Sequence, residues 1–123
     1  MNHTWKALSA SIILLVCNGA AAHHSFSMFD NAKDLTLAGE IRDFQWTNPH
    51  SWIFLLVTDQ KGAPIEWKVE GGSPNLLRRD GWTRRSLAKG DKVTLIIHPA
   101  KDGSNFGSLV RVTLADGTKL GSR

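Results

Sequence analysis

The run "LTLAGEIRDFQW", residues 35–46, places Leu35, Leu37, Gly39 and Ile41 on one parity and then moves its apolar positions to Phe44 and Trp46. Side chains alternate faces along a strand, so a slip of one position calls for an extra residue or a sharp bend, here near Arg42–Asp43. One long strand bent in its middle suits a sheet that curls back on itself better than a flat one. This first strand therefore restricts the fold more than any other segment of the chain.

The segments after it keep the two-residue period. "SWIFLLV", residues 51–57, is continuously apolar, as a strand covered on both faces would be. "DQKGAP" supplies turn residues, and "IEWKVE" then alternates Ile65, Trp67 and Val69 with Glu66, Lys68 and Glu70, which makes a hairpin with the preceding run. In "GGSPNLLRRDG", Ser73 is placed to cap a helix, Pro74 suits the first helical position and Gly81 suits the stop. "KGDKVTLIIHP" reads as a turn feeding a strand with Val93, Leu95 and Ile97 on one side. "SLVRVTL" reads as the last strand, on Val110, Val112 and Leu114, before the turn "ADG". The order β-β-β-α-β-β predicts an all-β chain: a small five-stranded OB-like barrel with one short helix between strands three and four. An open β-sandwich is the alternative.

Residues 1–22 are of another kind. Lys6 is their only charged side chain, and the apolar run "ALSASIILLVC" is shorter than the roughly 20 residues that a membrane span requires. With Ala20 and Ala22 at the small positions before His23, the segment reads as a cleaved signal peptide. Residues 23–123 are then expected to form a single domain in the periplasm or outside the cell, with no transmembrane segment left after cleavage. Cleavage would remove Cys17, the single cysteine, and with it any disulfide or thiolate metal site. It would also take Lys6 from the 15 basic side chains, leaving 14 against 11 acidic ones. A balance so near neutrality gives no argument for nucleic acid as a partner.

Histidine is then the main ligand for a softer metal. Cleavage before His23 would expose an amine and an imidazole on one residue, and His24 adds a second ring. Cleavage before Ala22 would place His24 third, where amine, backbone amides and ring can enclose Cu(II) or Ni(II) in a square plane. His50, in "WTNPHSW", and His98, in "IIHPAKDG", fall at the one-two and four-five connections, which flank the ligand face of an OB barrel. The metal candidates are therefore His23, His24, His50 and His98, with copper as the possible cofactor. Against this stands the plainer expectation that each ring only bonds a loop carbonyl. The tail is also expected to enter at the far end of the first strand from the one-two loop.

Trp46 and Trp52 bracket the one-two loop and divide between core and groove, where a ring could stack on a ligand. Asn48 lies between them. Arg78 and Arg79 could hold an anionic group, although a solvated basic face is the plainer account of them. These five are the candidate ligand-binding residues. For catalysis the chain offers no nucleophile elbow and no carboxylate pair at a telling spacing.

The segments "AHHSFSMFD", "FQWTNPHSWI", "GGSPN" and "KGDKVTLIIHP", in that order, resemble an uncharacterised family of exported bacterial proteins known only as a domain of unknown function. The resemblance implies a small periplasmic or secreted β protein and no established activity. The residues themselves favour a binding module over an enzyme. Copper binding through the histidines comes first. A groove for a glycan, lipid head group or protein partner comes next, and a histidine-brace copper oxidase last.

Overall fold

The computed structural model describes residues 28–121. Its strands are β1 (Leu35–Gln45), β2 (Trp52–Thr58), β3 (Pro64–Glu70), β4 (Lys92–Pro99), β5 (Phe106–Leu114) and β6 (Lys119–Gly121), with the helix α1 (Pro74–Arg79) between β3 and β4. β1 serves two neighbours. Its first half pairs antiparallel with β4, from Leu35 opposite Ile97 to Glu40 opposite Lys92. Its second half pairs with β2, from Glu40 opposite Leu56 to Gln45 opposite Trp52. The register jumps between Ile41 and Asp43, so Arg42 is the extra residue that the parity slip requires. At the corner, a Cβ on Gly39 would lie 2.3 Å from the Leu56 carbonyl oxygen, and only glycine lets β2 cross so close above β1.

Closure comes from β3 and β5, which run parallel over Lys68–Glu70 and Phe106–Ser108. The ring β1-β2-β3-β5-β4 thereby returns to β1, the strand order of an OB barrel, and this joint rules out the open sandwich. Ile41, Ile53, Leu55, Val69, Leu95, Ile97 and Val112 fill the interior. α1 begins as its sequence requires: the Ser73 hydroxyl accepts the Leu76 N–H and Pro74 takes the first position. It stops at Gly81, whose φ of 89° suits glycine. Leu77 and Trp82, both buried, join the same core.

Three features differ from the sequence reading. In β2 only Ile53 and Leu55 are buried, while Trp52, Phe54 and Leu56 are half-exposed on the outer wall. A single-walled barrel has one interior, so the outer apolar residues find partial cover instead: the Arg42 guanidinium 4.9 Å above Phe54 and the Lys68 ammonium 4.0 Å above Trp52. In β5 the register jumps again, Ile96 facing Arg111 and Ile97 facing Leu109. Val110 is thus the extra residue, and Leu109 and Val112 turn inward in place of the regular set on Val110. Lastly, the turn after Leu114 folds back into β6, which pairs with Arg111–Thr113 and adds a sixth strand outside the ring. No helix among the described residues is long and apolar enough to cross a membrane.

Candidate functional site

The one-two loop is held by an extension of the β2–β3 ladder. Ser51 N–H donates to the Gly72 carbonyl at 3.0 Å, and Gly71 N–H donates to the Ser51 carbonyl at 2.8 Å. The Thr47 hydroxyl donates to the His50 carbonyl at 2.8 Å, and the Asn48–Pro49 peptide is cis. His50 is thereby set beside the end of β3, with Nδ1 3.1 Å from Glu70 Oε1 and 3.3 Å from the Gly71 carbonyl oxygen.

His98 follows Ile97 on β4, and because Ile97 points inward its neighbour faces out. Its partners come from the segment ahead of β1. Phe29 bridges to Ala100, Asp30 N–H donates to the Pro99 carbonyl, and Lys101 N–H donates to the Met28 carbonyl. The turn that follows brings the Lys33 carbonyl oxygen 2.9 Å from His98 Nδ1, with Asp34 Oδ1 at 3.3 Å. Loop 100–105 on the same side is tightened by Ser104, whose hydroxyl and N–H both donate to Asp102 and hold that carboxyl below its ordinary pKa.

Barrel closure then lines up three strands. Glu70 on β3 faces Ser108 on β5, and Ser108 faces His98 on β4. A cavity of about 390 Å3 lies against this row, lined by His50, Glu70 and His98 together with Phe29, Leu76 and Val110. A carbonyl oxygen only accepts, so each histidine's Nδ1 must donate, and in a neutral ring this leaves Nε2 as a free acceptor. The expectation that each ring bonds a loop carbonyl is met, and the two connections also bring the rings to one place.

The other candidates divide. His23 and His24 lie outside the described residues, and among those described no three His, Cys, Asp or Glu side chains are grouped to hold a metal ion. The chain does enter β1 at Leu35, the end opposite the one-two loop that follows Gln45. It is paired with the four-five connection first, and Phe29 and Asn31 line the cavity itself. Trp46 takes the core alternative: it is 7% exposed, packed edge-on to Phe44, with the Arg78 guanidinium 5.6 Å above its ring. Trp52 stacks on Phe106 beside the cavity, its ring centroid 6.5 Å from that of His50, and does not line it. Asn48 is exposed, one residue before the lining Pro49. Arg78 and Arg79 sit in the last turn of α1 and stay out of the cavity, because Ser73 and Leu76 at its start are the parts of that segment that reach it.

Glu70, Phe29 and Leu76 are site residues that the sequence reading passed over. Glu70 carries one signal, its place on the outward parity directly ahead of Gly71–Gly72, but its partner histidine is twenty-one positions from Gly71 and no local pattern joins them. A larger, shallower depression of about 690 Å3, bordered by Gly39, Leu56 and Thr94, has only the mutually paired Glu40 and Lys92 as charged groups and offers less chemistry.

A family model described as "Family of unknown function (DUF6152)" matches residues 11–109. No curated protein and no solved structure matches the chain.

Proposed function

The chain belongs to this family of unknown function, which supplies no activity to inherit, and from its N-terminal segment and its site we propose that it is an exported protein that binds copper. One observation carries the reading: His50 and His98, remote in sequence, line a single cavity, each with Nδ1 engaged by oxygen acceptors and Nε2 uncommitted. Ring N–H groups bonded to carboxylate or carbonyl oxygen are the usual support of metal-bound imidazole, fixing its tautomer and orientation. Glu70 and Gly71 give that support to His50, and Lys33 and Asp34 give it to His98.

Two imidazoles are an incomplete ligand set. His23, His24 and the amine freed by signal cleavage complete it in this proposal. The Lys101 N–H holds the Met28 carbonyl one residue before the lining Phe29, and a fully extended chain covers roughly 3.3 Å per residue, so four steps back to His24 allow a reach of at most roughly 13 Å. An all-nitrogen set with no thiolate favours Cu(II) among the common divalent ions.

The test compares four proteins titrated with Cu(II) against a competing chelator: one beginning at His23, the same protein with an added residue ahead of it, and His50→Ala and His98→Ala in the first background. Each alteration is expected to lower affinity at least about tenfold, near 1.4 kcal/mol. Equal, weak binding by all four would overturn the reading.

A further inference from the structure

We infer that the same cavity binds an organic ammonium, a primary amine carrying an apolar body. The argument starts from what a metal ion leaves unexplained. The cavity's roughly 390 Å3 exceeds what a bare ion fills, and it falls in the roughly 300–1,000 Å3 range of small-molecule sites. Phe29, Leu76, Leu109 and Val110 give it an apolar wall that contributes nothing to coordination. Moreover, of the two large hydrophobic side chains most exposed among the described residues, one lines this cavity and the other is next in sequence to a lining residue. Leu76, 44% exposed, lines the cavity, and Met28, 45% exposed, immediately precedes the lining Phe29. Exposed apolar surface gathered around one concavity marks a binding site more often than scattered surface leucines do.

The polar groups give the ligand its head. Among the described residues Glu70 is the only carboxylate lining the cavity, and no described Lys or Arg lines it, although the chain as a whole is basic. Glu70 accepts from His50 through Oε1, which leaves Oε2 for another donor. With Nδ1 of each ring already bonded to a carbonyl, neutral His50 and His98 rings add their Nε2 atoms as acceptors among the lining residues. A cavity whose described lining combines acceptors and one carboxylate with hydrocarbon fits a cation with several N–H donors and an apolar body. A carboxylate of the same shape would meet Glu70 with like charge.

This inference does not depend on copper. It shares the imidazole nitrogens with the metal proposal, but the apolar wall and Glu70 carry it alone. The probe is 2-phenylethylamine, with phenylacetate as its anionic counterpart, added at millimolar concentrations to chelator-treated protein and followed by amide and side-chain NMR shifts. Saturable shifts at His50, Glu70, Leu76 and Val110 are expected with the amine and absent with phenylacetate. Glu70→Gln keeps an acceptor for His50 and removes the charge, and should weaken the amine at least about fivefold, as loss of a charge-assisted bond would. Leu76→Ala, at an exposed position, should weaken it as well while the spectrum stays folded. Equal binding of phenylacetate, no effect of Glu70→Gln, or no saturable shifts with the amine would overturn the inference. A failed copper titration would leave these outcomes untouched. If copper does bind, it should displace the amine.

Discussion

Ser51 shows how one position can be used by its backbone alone. Its N–H and carbonyl continue the β2–β3 ladder across to Gly72 and Gly71, whereas its hydroxyl is buried and has no hydrogen-bond partner among the described residues. A desolvated hydroxyl left unpaired costs about 1–3 kcal/mol, and removing it returns part of that cost. Ser51→Ala should therefore leave stability unchanged or raise it by up to about 1 kcal/mol in urea unfolding, with the His50–Glu70 contact intact. A loss greater than about 1 kcal/mol would show that the hydroxyl is satisfied after all. The histidines were legible at this scale because each sits beside a proline at a connection that the strand pattern exposes. Glu70 was not, since the residue that gives it a role comes from another loop. Trp46 was undecided in sequence because its parity after the bulge serves the core as readily as the groove, and only Arg78 and Phe44 packed against it settle the matter.

At the scale of elements, the two bulges had unequal signals. Arg42 was visible because a charged residue interrupts an otherwise regular alternation, and the apolar positions resume one step later. Val110 was hidden because Leu109 and Val110 are both apolar, so either register reads as plausible. β6 escaped notice because three residues are too few to show a period. Gly39 gives β1 its sharpest demand. Adding a methyl there sets a carbon against the Leu56 backbone oxygen, which cannot swing aside as a side chain can. Gly39→Ala should cost about 1–3 kcal/mol, the range of core overpacking. The β1–β2 amides near Glu40 and Leu56 should lose protection from hydrogen exchange first. Full protection there with unchanged stability would mean that the corner has room to relax.

For the whole molecule, the parallel joint of β3 with β5 both closes the barrel and builds the site, since it brings Glu70 alongside Ser108 and so within the row that ends at His98. β6 plays no part in that closure. It is an appendage on β5, three residues long, tied down by one long-range bond: Trp82 Nε1–H donates to the Gly121 carbonyl at 2.7 Å. Trp82 itself is 1% exposed and packs 6.0 Å from Phe44, so it contributes to the core as well as to the tie. Trp82→Phe separates the two roles, because the ring stays apolar and buried while the N–H is lost. Gly121 is exposed, and its freed carbonyl can turn to water, so the lost bond should cost only about 0.5–1.5 kcal/mol, with a further cost from the smaller ring. The expected pattern in hydrogen exchange is loss of protection at Lys119–Gly121 while β1 to β5 keep theirs and the cavity still forms. Trp82→Ala should instead cost about 3–5 kcal/mol and weaken the whole barrel. If Trp82→Phe loosened β3 and β5 together with β6, the sixth strand would be part of the closed unit, and the site's integrity would depend on both ends of the chain.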